Sequence, residues 1–271
     1  MNQAESILQF TLKQICPIVR DICLKYFRSN FSTSIKSDNT IVTIADREIE
    51  LFVKQTINKH FPEHSFVGEE TGLQNNNHEY LWVIDPIDGT TSFASGRASF
   101  CFLITLFKGD TQIFSLSYQP ILNEAFYSIG QHSYLNGAII KSSSRQNLQD
   151  CYIASCSPRY ITTPRSKDFF SELESSCRAS IYGGDAYLYC QLAMGGLDIV
   201  FDEGLAIYDI APLVLLIQNS GCKIKTLDFQ DFCLVNMSIQ NSYKNSDKFG
   251  IIAYNYAIEK QVEAIAAKYI G

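Results

Sequence analysis

Leu81-Trp82-Val83-Ile84-Asp85-Pro86-Ile87-Asp88-Gly89-Thr90-Thr91-Ser92-Phe93 is the stretch on which the reading of the chain turns. Leu81 to Ile84 are apolar, aromatic or β-branched, which predicts a strand. Pro86 fixes its own φ and biases Asp85 to an extended conformation. Asp85 and Asp88 can then aim at one point, with the carbonyl of Ile87 facing the same way. Gly89 lets the backbone bend and lets an anion come close. Thr90 and Thr91 add hydroxyls and backbone N–H groups. Two carboxylates and a carbonyl are hard oxygen donors, which suit magnesium rather than zinc. A capped turn after a buried strand is the plainer reading of the same residues.

Other acidic elements lie on either side. Upstream, a short apolar strand runs into Gly68-Glu69-Glu70. Adjacent glutamates are usually a solvated pair, yet only a polar loop, 72–79, separates these from the strand at Leu81. Earlier still, Thr43 is a good helix N-cap, and Asp46 three residues on completes a capping box with the shorter acid. The helix that follows carries Ile49, Phe52, Val53 and Ile57 on one face. Downstream, Asp209 sits where a loop after a strand becomes a helix, in Asp202-Glu203-Gly204-Leu205-Ala206-Ile207-Tyr208-Asp209. A plain N-cap acid explains it, and that role is compatible with a metal. Glu69, Asp85, Asp88 and Asp209 converging on one spot would repel strongly unless cations lay between them.

These strings resemble the signatures of the inositol monophosphatase family, from the Val-Thr-Ile-Ala-Asp element at Val42–Asp46 through Gly68-Glu69-Glu70 and Asp85–Phe93 to Tyr208-Asp209. Tyr208 stands where that family has Trp, and Pro212 where it has a small residue. The resemblance implies an α/β chain folded as a layered αβαβα sandwich of the inositol monophosphatase and fructose bisphosphatase type. It implies two lobes, 1–141 and 142–271, in one compact unit, often assembled as a homodimer. It implies two or three Mg2+ ions held by Glu69, Asp85, the carbonyl of Ile87, Asp88 and Asp209. Glu70 would hold a water of that site. Thr90, partnered by Asp46, would help to activate the attacking water, and the backbone of Gly89 and Thr90 would bind phosphate. The substrate would be a small phosphate ester. Lys36 either balances charge there or faces solvent.

Within the family, Gly184-Asp185-Ala186-Tyr187 looks like the histidinol-phosphate phosphatase branch, as do Ser95-Gly96-Arg97 and Gln119-Pro120-Ile121-Leu122. Against that branch, Thr91 stands where it has Lys. The residues expected to touch the alcohol part are Gly184, Asp185 and Asp202. Two added anionic groups would favour an amine-bearing substrate over neutral inositol. Alternatively Asp185 only caps its helix, inositol monophosphate is the substrate, or the fold serves as a binding module without activity.

Composition narrows the classes. The chain has 271 residues, 46% hydrophobic and 18% charged, with a formal net charge of -6. It has no Lys/Arg run to suggest nucleic acid, and no apolar run near the length of a membrane helix. Nine cysteines, an odd count without a Cys-x-x-Cys pair, fit reduced thiols, and the first residues lack a signal peptide, so a cytoplasmic protein is expected. Pro62 between His60 and His64 argues for a surface loop rather than a metal pair. Elsewhere, one helix over 3–28, broken or kinked at Pro17, should precede an antiparallel meander of strands over 100–108, 111–118, 124–129 and 134–140. The second half should alternate, with strands over 151–155, 180–182 and 197–201, and helices over 166–176, 185–194, 210–219 and 256–269.

Overall fold

The computed structural model describes residues 3–30, 33–35, 41–74, 79–234 and 239–269. Two helices open it, α1 (Gln3–Phe10) and α2 (Cys16–Tyr26), joined by a π-helical turn, Thr11–Ile15. The expected break is present, but Pro17 does not cause a kink at its own position. It occupies the first turn of α2, where a missing N–H is tolerated, and the irregular turn precedes it. A short ribbon follows, β1 (Thr33–Ile35) and β2 (Ile41–Thr43), then α3 (Ile44–His60). Lys36 lies outside the described residues.

The large sheet is built from β3 (Ser65–Gly68), β4 (Gly72–Gln74), β5 (Tyr80–Asp88), β6 (Cys101–Lys108), β7 (Thr111–Gln119), β8 (Glu124–Ile129), β9 (His132–Leu135) and β10 (Ala138–Ile140). One helical turn, α4 (Thr90–Ala94), interrupts it after β5. The spatial order is β10-β9-β8-β7-β6-β5-β3-β4; β3 and β5 run parallel and the other neighbours antiparallel. Asn136-Gly137 joins β9 to β10, so the strand expected over 134–140 is a hairpin. Part of the expected loop after Glu70 is strand β4.

The second sheet takes β11 (Tyr152–Ser155), β12 (Ala179–Tyr182), β13 (Ile199–Leu205), β14 (Cys222–Thr226) and β15 (Phe249–Asn255), in the order β12-β11-β13-β15-β14. Its helices are α5 (Pro164–Ser176), α6 (Tyr187–Ala193), α7 (Ile207–Asn219), α8 (Ile239–Lys244) and α9 (Glu259–Ala266).

Strand alternation makes the layers. Trp82, Ile84, Phe102 and Ile104 point to one face of the large sheet, against Val19 of α2 and Ile49 and Val53 of α3. Val83 and Leu103 point to the other, where Leu188, Leu213 and Ile217 of α6 and α7 separate them from Val200 and Ile251 of the second sheet. Phe201 and Ile252 face outward, under Phe169 of α5 and Val262 of α9. Helix, sheet, helix, sheet, helix is the expected sandwich. No helix among the described residues is long and apolar enough to cross a membrane.

His64 departs from the surface reading. It is buried, its Nδ1 accepts from Trp82 Nε1 at 3.0 Å, and its ring stacks between Phe61 and Tyr80. His60 is exposed.

Candidate active site

The pairing of β5 with β6 slips by one residue where the site begins. Asp85 faces Leu103 but Asp88 faces Cys101, so three steps on β5 match two on β6. In a regular strand, residues three apart point to opposite faces. The extra residue of this bulge turns Asp88 to the side of Asp85. Pro86 belongs in such a place because it has no N–H to give a ladder. Gly89 then takes φ +88°, and α4 begins.

Asp209 arrives from the other sheet. α7 starts at Ile207 with Ala206 as N-cap, so Asp209 is not the cap itself: it lies in the first turn, and its Oδ2 accepts from the N–H of Ala206 at 2.7 Å. Pro212 is correspondingly one turn deeper than a first-turn proline, inside the helix. Asp85, Asp88 and Asp209 offer carboxylate oxygens that all lie within 4.8 Å of one another. Each acid is also fixed by a backbone N–H: Ile87 to Asp85 Oδ1 at 3.0 Å, Ala186 to Asp88 Oδ2 at 2.5 Å, Ala206 to Asp209. Burial, then Glu69, Asp88 and Asp209, pushes Asp85 well above the usual carboxylate range. Burial, then Asp185 and Asp209, does the same to Asp88. Asp209 is raised to about 7 by burial and by Glu69. Acids arranged this way are costly alone, and oxygen-only donors at this spacing fit magnesium.

Glu69 borders the same space, in the turn between β3 and β4. The residue that sets this turn lies outside the acidic motifs of the sequence. Glu50 of α3 is fully buried, and its carboxylate accepts from the N–H of Glu70 at 2.8 Å and of Thr71 at 2.6 Å. A signal existed: Asp46 and Glu50, four apart, are acids on the buried stripe of an amphipathic helix.

Thr43 and Asp46 form the expected capping box, with Asp46 Oδ2 accepting from Thr43 N at 2.8 Å. The other oxygen, Oδ1, accepts from Thr90 Oγ1 at 3.2 Å; the same hydroxyl lies 3.0 Å from the carbonyl of Ile87. Burial is the main cause that lifts Asp46 to about 6.

Two cavities share the cluster, one of about 560 Å³ beside Thr90 and Ile87, the other of about 390 Å³ beside Asp202 and Glu203. Arg159 and Tyr160, which belong to none of the sequence motifs, border both, and Lys248 borders the second. Asp185 has left-handed φ, +48°, and its Oδ2 accepts from Ser92 Oγ at 2.6 Å. It presses on Gly89: a Cβ there would lie 2.4 Å from Asp185 Oδ2. Asp202 borders the second cavity, but its buried carboxylate already accepts from Ser155 Oγ, Cys156 N and Tyr189 Oη at 2.7–3.1 Å. Gly184 is buried under Leu188, away from both cavity walls.

A five-layer sandwich with carboxylates gathered at a strand bulge and the first turn of a helix defines the class of layered α/β proteins with an acidic centre between two sheets. The chain belongs to the inositol monophosphatase family, whose model matches residues 4–260. Among its relatives, the bifunctional phosphatase IMPL2 of Arabidopsis thaliana is 35% identical over 204 residues, 74% of this chain and 59% of that one, so the match spans under two thirds of that relative. The Nus factor SuhB of Escherichia coli K12 is 33% identical over 69% of this chain and 72% of its own. An inositol monophosphatase from Zymomonas mobilis has the same fold, with TM-score 0.81, 26% identity, and coverage of 98% of this chain and 100% of that one.

Proposed function

We propose that the protein is a magnesium-dependent phosphomonoesterase acting on a small phosphorylated alcohol that carries an amine, histidinol phosphate first among them. The observation that carries this reading is the triplet of carboxylates within 4.8 Å, drawn from segments more than 100 residues apart and each oriented by a backbone N–H. Asp85, Asp88, Asp209, Glu69 and the carbonyl of Ile87 would hold two or three ions. When bound, magnesium lowers the pKa of a water and neutralises charge on the leaving oxygen. The protein's own part is positioning and proton transfer. Thr90 Oγ1 would orient the attacking water, and its hydrogen bond to Asp46 gives the proton a route to a carboxylate raised to about 6. The water oxygen bonds to phosphorus as the ester P–O bond breaks towards the alcohol. Gly89 and Thr90, opening α4, would hold a phosphoryl oxygen through their N–H groups, and Glu70 would steady a second water.

The lean towards an amine rests on Asp185. Among the described residues Ser92 is its one hydrogen-bond donor, so it has acceptor capacity left at the wall of the second cavity. Gly184 and Asp202 would shape that wall from behind. A neutral ester, inositol monophosphate, is the second reading, favoured by the name of the Zymomonas mobilis relative. A regulatory role without turnover is the third, prompted by the name Nus factor.

The test measures phosphate release from histidinol phosphate and inositol monophosphate at equal concentration, with magnesium and with chelator. Magnesium-dependent release with higher kcat/KM for histidinol phosphate is expected, and Asp88→Asn should lower it about a hundredfold or further with the fold intact. Clear preference for inositol monophosphate would overturn the substrate assignment. Release from neither would favour the regulatory reading.

A further inference from the structure

A third cavity, of about 470 Å³, lies between α2 and the strands β7 and β8, and shares no residue with the two at the acidic cluster. Leu12, Cys16, Pro17, Arg20 and Asp21 border it from the helical side at one-turn spacing. Tyr118, Tyr127 and Asn123 border it from the sheet.

The helix stands off the sheet for a local reason. The π turn Thr11–Ile15 puts an extra residue into the helix just before α2, with the Cys16 N–H reaching back to the Thr11 carbonyl. Pro17 follows and cannot return an N–H to that turn. Such π insertions persist at a cost in helix geometry, most often where a site needs the space.

The side chains there are poised rather than paired. Arg20 is half-buried; its Nε is screened from water yet has no hydrogen-bond partner, and among the described residues its guanidinium makes no ion pair. The side chain of Asp21, next to it and exposed, likewise has no hydrogen bond or ion pair among the described residues. Tyr118 donates its hydroxyl to Asn123 Oδ1 at 2.6 Å, so the floor is fixed in place. Tyr127 is braced by stacking on Tyr134, with ring centroids 5.1 Å apart. One cation, one anion, apolar walls and aromatic hydroxyls together match a ligand that carries both charges and a compact apolar or aromatic part. A bare anion would be held by Arg20 but opposed by Asp21.

We propose that this cavity is a binding site for a free α-amino acid, its carboxylate on Arg20, its ammonium on Asp21, and its side chain between Leu12, Pro17 and Tyr127. The site is separate from the phosphatase reading and does not depend on it.

Titration calorimetry on the full chain tests this, with the twenty standard amino acids as probes and inorganic phosphate and acetate as single-charge controls. At least one amino acid should bind with Kd of 1 mM or below. Arg20→Gln and Asp21→Asn should each weaken that binding at least tenfold while the circular dichroism spectrum and any magnesium-dependent turnover stay unchanged. Absence of amino-acid binding by the unaltered protein overturns the proposal, as does equal binding by either variant. Phosphate or acetate binding as tightly as the best amino acid overturns it too.

Discussion

Replacing Asp209 by Asn should stabilise the protein when magnesium is withheld and weaken it when magnesium is supplied. The side chain is partly buried, and its carboxyl is raised from 3.8 to about 7, by burial first and Glu69 second. Each pH unit between those values is worth about 1.4 kcal/mol, so ionising Asp209 in the fold at pH 8 costs at most about 4 kcal/mol. Its solvent-facing edge screens part of this, which leaves about 2–3 kcal/mol. The sign follows from the raised value. Stability from this group is full below about pH 4, where the carboxyl is protonated folded or unfolded, and is lost as pH rises to about 7. Asn cannot ionise, and its amide oxygen can still accept from Ala206. Urea denaturation in chelator should therefore find Asp209→Asn about 2–3 kcal/mol more stable at pH 8. The gap should close towards pH 4. Magnesium at a hundred times its Kd adds about 2.7 kcal/mol to the unaltered protein alone and removes or reverses the order. A variant less stable in chelator at pH 8, or a gap that ignores pH, would refute the account of a cluster strained by its own charge.

Glu50→Ala leaves the N–H groups of Glu70 and Thr71 without their acceptor; a loss of roughly 2–5 kcal/mol in unfolding free energy is expected. Glu50→Gln should recover part of it, and magnesium affinity, read by titration, should fall about 10–100-fold in the Ala variant. Thr90→Val keeps the shape but not the proton route to Asp46, so kcat should drop about a hundredfold or more with KM little changed.

Much of the candidate site's geometry was legible because its signals are local. An apolar strand stopping at Asp85-Pro86-Ile87-Asp88 announces a turn lined with carboxylate and carbonyl oxygens, and the Thr43–Asp46 box follows from residues three apart. The layered fold followed from family resemblance together with alternation of strand and helix in the second half. What escaped depends on contacts between distant segments. Glu50 is one acid in a helix until the chain end of β3 is laid against it. His64 is a loop residue until Trp82 and Tyr80 close around it. β15 pairs with both β14 and β13, yet 22 residues separate β14 from β15 and neither alternates cleanly enough to be marked as strand. α7 begins three residues before the helix expected over 210–219, because Ile207 and Tyr208 carry no capping signal and the true cap, Ala206, has no side-chain acceptor.

The irregularity beside Pro86 has a consequence for anyone redesigning the sheet. Deleting one residue there would restore unbroken pairing between neighbouring strands and improve the backbone by every general criterion. It would also leave the two acids two positions apart on a regular pleat, on one face but about 6.6 Å along the strand, and would remove the turn that gathers their carboxylates. In this protein a tidier scaffold works against the gathered acids, so stabilising changes belong elsewhere in the chain.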